Sequence, residues 1–291
     1  MPLYKLSDTE VRTFGKEYIE TLELWLRNII DTELRKTYGS DYIHAKKMNS
    51  PDNVFNKTLQ DEIDNRMANE PERYSRQIDA CVLDTVIKIL TRKDLYDAHF
   101  KKIFKDDFRG KEMLSYTLEK LVNPRNCLSH ANPISIRQLE QIICYTNDVV
   151  TAIKKYFKEI NMDKELNVPK IIRITDTFGN TLTREQFNSN DFSFVLIDLR
   201  EKKNYLFPND KLKIEVSIDP TFPRDSYKIS WGSAKGILKI ENSTTIEIAI
   251  EEKHIGDCLD IQCKIISNEV WHRSVQYDDS IQLQYKVLPN K

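Results

Sequence analysis

The chain has 291 residues, of which 40% are hydrophobic and 31% charged, and its net charge is −1. That length accommodates two domains with a core each, while the near-zero charge excludes a polycation, so any nucleic-acid contact must come from a local patch. No apolar run approaches the roughly 20 residues that span a bilayer, and the opening MPLYKLSDTEVR lacks the apolar core of a signal peptide.

Five scattered cysteines without a CxxC fit neither a disulfide framework nor a zinc site. Free thiols, a reducing cytoplasm and no membrane association are therefore expected.

Residues 1–165 read as an all-α bundle. Val11, Phe14, Tyr18, Leu22, Trp25, Ile29 and Leu34 recur at helical spacing and predict a long first helix. Ser7 with Glu10 forms a capping-box pattern at its start, and Gly39 stands in the closing turn. A second helix is predicted through Val54, Phe55, Leu59, Ile63 and Met67, and a third through Ile78, Cys81, Val82, Val86, Ile89 and Leu90. A broken fourth follows in DLYDAHFKKIF, then a fifth through Met113, Leu114, Leu118, Leu121 and Val122. The last begins after Pro133, with Ser135 as N-cap and Gln138 three residues on.

After the polar stretch NMDKELNVPK the period changes from helical to alternating. Residues 166–291 contain the runs KIIRIT, FSFVLIDL, KLKIEVSI, YKISW, ILKIE, TIEIAI, LDIQCKII and IQLQYKVL, separated by turn residues. These predict an antiparallel β-sandwich. Trp231 on a middle strand and Cys263 further on give it an immunoglobulin-like order, although KLKIEVSID offers no cysteine to pair with Cys263. The fold class is thus α+β in two domains.

The stretch NPRNCLSHANP, residues 123–133, carries the chemistry. Asn123-Pro124 predicts the start of a short helix and Asn132-Pro133 its end. Arg125 can fork onto a phosphate. Asn126 can orient a phosphate oxygen, and His130 can move a proton near neutral pH. Together they suit attack of a ribose 2′-hydroxyl on the adjacent phosphate, which calls for no metal or cofactor. Arg125 and His130 are five residues apart, about 140° around a helix. One histidine cannot serve both sides of the phosphate, so a symmetric dimer sharing two copies is expected. The same residues also fit a surface arginine beside a capping histidine.

An arginine, a polar residue and a histidine after four intervening residues, set before the last helix of an all-α bundle, resembles the HEPN superfamily (higher eukaryotes and prokaryotes nucleotide-binding). The segment LELWLRNIIDTELRKTYGSDY is similar to a subgroup whose long first helix ends in a Tyr-Gly-x-x-aromatic element. The resemblance covers roughly residues 10–160. It implies a metal-independent endoribonuclease acting on RNA as a homodimer, with Arg125 on the phosphate, Asn126 positioning it and His130 transferring the proton. Many members are toxins, antiviral effectors or RNA-processing factors, and a toxin held inactive by a separate regulatory or antitoxin protein is a further reading of this chain. Others keep the fold only for binding or dimerisation, which leaves a non-catalytic interaction protein as the alternative.

Lys101, Lys102 and Lys105 lie in a basic run interleaved with Tyr96, Phe100, Phe104 and Phe108. The run reads as a face for RNA or as an amphipathic helix with solvated charges over a buried aromatic stripe. His99 reads as structural. His44 is placed to line the groove of the motif, and Asp61, Glu62 and Asp64 read as a solvated face. His272, after Trp271, reads as a strand end. The β-sandwich is expected to recognise a partner or ligand.

Overall fold

A capping box opens the first helix, α1 (Asp8–Tyr38): the Glu10 amide donates to Ser7 Oγ at 3.3 Å, and the Ser7 amide donates to the Glu10 carboxylate at 2.8 Å. Two amides left open by the helix start are thereby satisfied. Gly39, at φ +80°, stops the helix, its N–H donating to the Arg35 carbonyl at 3.0 Å. This computed structural model describes residues 3–71, 73–187, 194–233 and 239–290. The chain divides into two compact units, Met1–Ile160 and Asn161–Lys291.

The first unit is a helical bundle around α1. Its inward face, with Ile19, Leu22, Leu26, Ile29 and Leu34, is fully shielded, each such side chain contributing about 2 kcal/mol. Helix α2 (Lys57–Asn69) begins later than its apolar spacing suggests. Val54 and Phe55 are buried ahead of it, because the Asn56 side chain accepts from the Leu59 amide at 2.9 Å and sets the start. Ile78 likewise lies in a 3-10 turn (Gln77–Ala80), and Cys81 follows it, before α3 (Leu83–Thr91). The broken stretch is α4 (Lys93–Leu95), a π-helical turn (Tyr96–Phe100) and α5 (Lys101–Phe104). Its aromatic stripe Tyr96, Phe100, Phe104 and Phe108 is buried, and His99 packs edge-on against Tyr38.

Helix α6 (Lys111–Ser129) packs on α3 and α1. Helix α7 (Ile136–Glu159) packs along α1 and starts at the Ser135–Gln138 capping box. Gly15 lets α1 approach the end of α6 and the segment that leads into α7: a Cβ there would sit 2.8 Å from Ile134 Cδ1 and 3.2 Å from Leu128 Cδ1. Among the described residues, no helix is long and apolar enough to cross a membrane.

The second unit opens with a single helical turn, α8 (Asp163–Leu166). Among the described residues, nine strands then form two sheets: β1 (Ile171–Asp176), β2 (Thr181–Thr183), β3 (Phe194–Asp198), β4 (Lys211–Ile218), β5 (Tyr227–Gly232), β6 (Lys239–Glu241), β7 (Thr245–Ala249), β8 (Gly256–Ser267) and β9 (Asp279–Val287). One sheet has the order β2-β1-β4-β7, the other β3-β9-β8-β5-β6. Alternating residues of both meet in one core, including Ile214 and Val216 from the first sheet and Ile229, Ile261 and Leu283 from the second. Trp231 and Cys263 are direct cross-strand partners, both buried, and the Trp231 indole donates to the Ser243 carbonyl at 2.8 Å.

The sandwich is not wholly antiparallel: β3 runs parallel to β9. No hairpin joins these strands. The chain leaves β3 through a 3-10 turn at Lys202–Asn204 and enters β4 in the other sheet, so β3 is free to pair in either direction. Strand β2 has no counterpart among the sequence-predicted runs. Phe192, Ser193, Ile237 and Leu238, expected in strands, lie outside the described residues.

Candidate active site

Helix α6 carries the Arg-Asn-x-x-x-His stretch at its C-terminal end. Leu114, Thr117, Leu118, Leu121, Pro124 and Leu128 form its buried face. The short separate helix expected to start at Asn123-Pro124 does not form; α6 runs through Pro124 to Ser129. An interior proline gives up one helical hydrogen bond, at a cost of about 3 kcal/mol. Pro124 is buried on the packed face of the helix.

The helix also ends earlier than Pro133 suggests. His130 is the C-cap, and Ala131 adopts φ +58°. The Asn132 amide donates to the Cys127 carbonyl at 2.8 Å and the Ala131 amide to the Leu128 carbonyl at 3.2 Å. That pair of bonds is a Schellman ending, with alanine at the position usually taken by glycine. It places His130 at the helix end, exposed to solvent.

Arg125 is tied to α1. Its Nε donates to Glu23 Oε1 at 3.0 Å, while Arg27 Nη2 donates to Glu23 Oε2 at 2.9 Å and to the Cys81 carbonyl at 2.9 Å. The Glu23 and Arg27 side chains are 8% and 4% exposed, against 24% for Arg125. One buried carboxylate therefore serves two guanidinium groups. With Nε committed, the outer nitrogens of Arg125 remain: Nη1 lies 3.4 Å from Asn126 Oδ1, and Nη2 has no protein partner among the described residues. This is a guanidinium held along one side and open along the other, the form that grips a phosphate.

The structure thus brings Arg125 and Asn126 together and sets His130 one and a half turns further along. Among the described residues, the His130 ring makes no hydrogen bond or ion pair to the protein. Sequence reasoning missed Glu23 and Arg27, which flank the apolar stripe of α1. Their four-residue spacing beside that stripe is the signal for an ion pair that the bundle then buries.

His44 serves elsewhere. Its Nδ1 lies 2.8 Å from Asp41 and its Nε2 3.1 Å from Asp64, clamping the loop after α1 to α2. Asp61 and Glu62 pair with Lys57 and Arg66 on the surface of α2.

The basic run divides. Lys101 and Lys105 are exposed. Lys102 reaches Glu33 at 2.6 Å and lies over the Tyr156 ring. Burial would raise the Glu33 carboxyl, but hydrogen bonds from Lys102, Lys36 and Tyr156 hold it below its ordinary value. His272 lies in the loop between β8 and β9, with Nδ1 3.2 Å from Asp278.

Among the described residues, no group of three or more His, Cys, Asp or Glu side chains is placed to hold a metal ion. Compared with known proteins, the chain matches no family, no curated protein and no solved structure.

Proposed function

We propose that the protein is a metal-independent endoribonuclease of the HEPN type, working as a homodimer in the cytoplasm. The observation that carries this reading is the Arg125 guanidinium, fixed by buried Glu23 with one edge open, on the same helix end as solvent-exposed His130. In this reading Arg125 neutralises the phosphate of an RNA strand as charge builds up, and Asn126 orients one of its oxygens. One His130 takes the proton of the ribose 2′-hydroxyl, whose oxygen attacks phosphorus. His130 of a second copy protonates the departing 5′-oxygen, leaving a cyclic 2′,3′-phosphate and a free 5′-hydroxyl. The dimer follows from chemistry: acid and base must stand on opposite sides of the phosphorus, and each chain supplies one such histidine.

Exposed Lys101 and Lys105 extend the cationic surface for RNA in this scheme, and the β-sandwich recognises a partner or ligand. Such an enzyme would serve as a toxin or antiviral effector, restrained by a regulatory or antitoxin protein. The alternative is a non-catalytic dimerisation module. The Glu23–Arg125 bond is the observation in its favour, since an ion pair between two helices also has a purely architectural use.

The deciding experiment is cleavage of bulk RNA in the presence of a chelator. Arg125→Ala and His130→Ala should each lower the rate by about 10²-fold or more, with folding and dimerisation retained. Rates equal to the intact protein in both variants would sink the assignment.

A further inference from the structure

The cleft between α2 and α3 is a second feature of the helical unit, away from the arginine–histidine stretch in sequence. It has a volume of about 290 Å³; apolar Phe55, Leu59 and Ile89 line it together with polar Asn56, Thr58 and Thr85 and charged Glu62, Lys88 and Arg92. That volume is close to the lower end of small-ligand sites, about 300 Å³.

Arg92 is preorganised there. Its guanidinium carbon lies 5.1 Å from the centre of the buried Phe55 ring, while Nε and Nη2 donate to the Asp94 carboxylate at 2.6 and 3.1 Å. One face and one edge are thereby committed. The opposite face of the plane remains, together with Nη1, which has no protein partner among the described residues. A guanidinium plane backed by an aromatic ring is a ready platform for a nucleobase.

Lys88 is one helical turn before Arg92 and on the same side of α3. It is exposed and forms no ion pair among the described residues. Two nearby carboxylates are already engaged: Glu62 with Arg66, and Asp94 with Arg92 and Lys47. Lys88 therefore adds a positive charge where a phosphate attached to a stacked base would lie, with Asp84 one turn before it on α3 as the opposing carboxylate. Thr58 and Thr85 offer hydroxyls to a base edge or ribose.

We infer that this cleft binds one nucleotide of a single-stranded RNA, with the base on Arg92 and the phosphate on Lys88. The inference rests on the ribonuclease reading for the identity of the polymer. Helix α3 connects the two places: the Cys81 carbonyl just before it holds Arg27, the partner of Glu23, and Arg92 follows its far end. Its nine residues span about 14 Å, about the length of a few nucleotides of an extended strand. A duplex cannot present an unstacked base to the cleft and is excluded as ligand.

The test uses the full chain, a chelator and a fluorescein-labelled oligouridylate read by anisotropy. Lys88→Glu should weaken binding about 10-fold and flatten its salt dependence by about one phosphate contact. It should also raise KM for the oligonucleotide while leaving cleavage of a dinucleotide unchanged. Arg92→Gln should weaken binding similarly, and Lys211→Glu on the sheet unit should not. The same affinity for Lys88→Glu as for the intact protein overturns the inference, as does failure of the intact protein to bind or equal competition by duplex RNA. If cleavage depends on Arg125 and His130 but Lys88→Glu changes neither affinity nor KM, the cleft is wrong and the ribonuclease stands. If no variant cleaves RNA yet binding depends on Lys88, the ribonuclease is wrong and the cleft stands.

Discussion

Glu23 and Arg125, 102 residues apart in the chain, meet at 3.0 Å between α1 and α6. Glu23 also holds buried Arg27 at 2.9 Å. Glu23→Gln keeps the shape but leaves two guanidinium groups without their carboxylate. Breaking a buried pair from one side costs about 3 kcal/mol, and the urea midpoint of Glu23→Gln should fall accordingly. On the ribonuclease reading, its cleavage rate should lie between that of the intact protein and that of Arg125→Ala. A midpoint equal to the intact protein's would show that the bridge contributes no stability.

Ala131 sits at φ +58° to close α6. A left-handed alanine costs about 1 kcal/mol that glycine does not, partly offset by the greater freedom of unfolded glycine. Ala131→Gly should raise the thermal midpoint by a degree or more while leaving Arg125 and His130 where they are. A lower midpoint would mean that the Ala131 methyl makes contacts worth more than the relieved strain.

His44 gives a pH dependence. The hydrogen bond to Asp41, and after it the one to Asp64, raise its pKa above the ordinary 6.5, against burial. Gln77, from the 3-10 turn, also lies 3.3 Å from Nδ1. A raised base stabilises the fold fully below its unfolded pKa and loses that contribution as pH climbs through the folded value. Asp41 is lowered below 3.8, chiefly by its hydrogen bond with His44, so its share is lost only in stronger acid. The difference in melting temperature between the intact protein and His44→Gln should be larger at pH 5.5 than at pH 8. A difference independent of pH would dissociate His44 from the effect.

Lys170 works the other way. Burial, then Arg273 and Arg184, push its pKa from 10.5 down to about 7, against Asp279 and Asp219. Between those values the unfolded chain holds a proton that the folded one lacks, so stability rises with pH across the window. Lys170→Met should melt above the intact protein at pH 7, and the gap should narrow toward pH 10. A gap that widens with pH would contradict this.

How far the sequence reaches differs from one element to the next. Both capping boxes, Ser7–Glu10 and Ser135–Gln138, were legible because a cap is a contact within four residues. The strands KLKIEVSI and YKISW were legible because alternation reports a half-buried surface directly. The start of α2 was missed by a few residues, since Val54 and Phe55 are apolar enough to extend the stripe and only the Asn56 side chain stops it. Pro124 was read as a boundary by local rule, and packing against α1 and α3 overrode the rule. The parallel pairing of β3 with β9 joins residues far apart in the chain, and nothing in either strand's own alternation encodes direction.

The sequence by itself determined the two periodicities, the two-unit layout and the presence of Arg125, Asn126 and His130 near the end of a helix. These rest on local propensity and on burial patterns repeated every two or three to four residues. Only the tertiary structure decided that Glu23 holds Arg125, that Lys102 is engaged with Glu33, that His44 belongs to Asp41 and Asp64, and that Arg92 lies on Phe55. Each is a meeting of charged or aromatic groups whose partner is chosen by how the helices pack, and a side chain's own neighbours in sequence do not carry that choice.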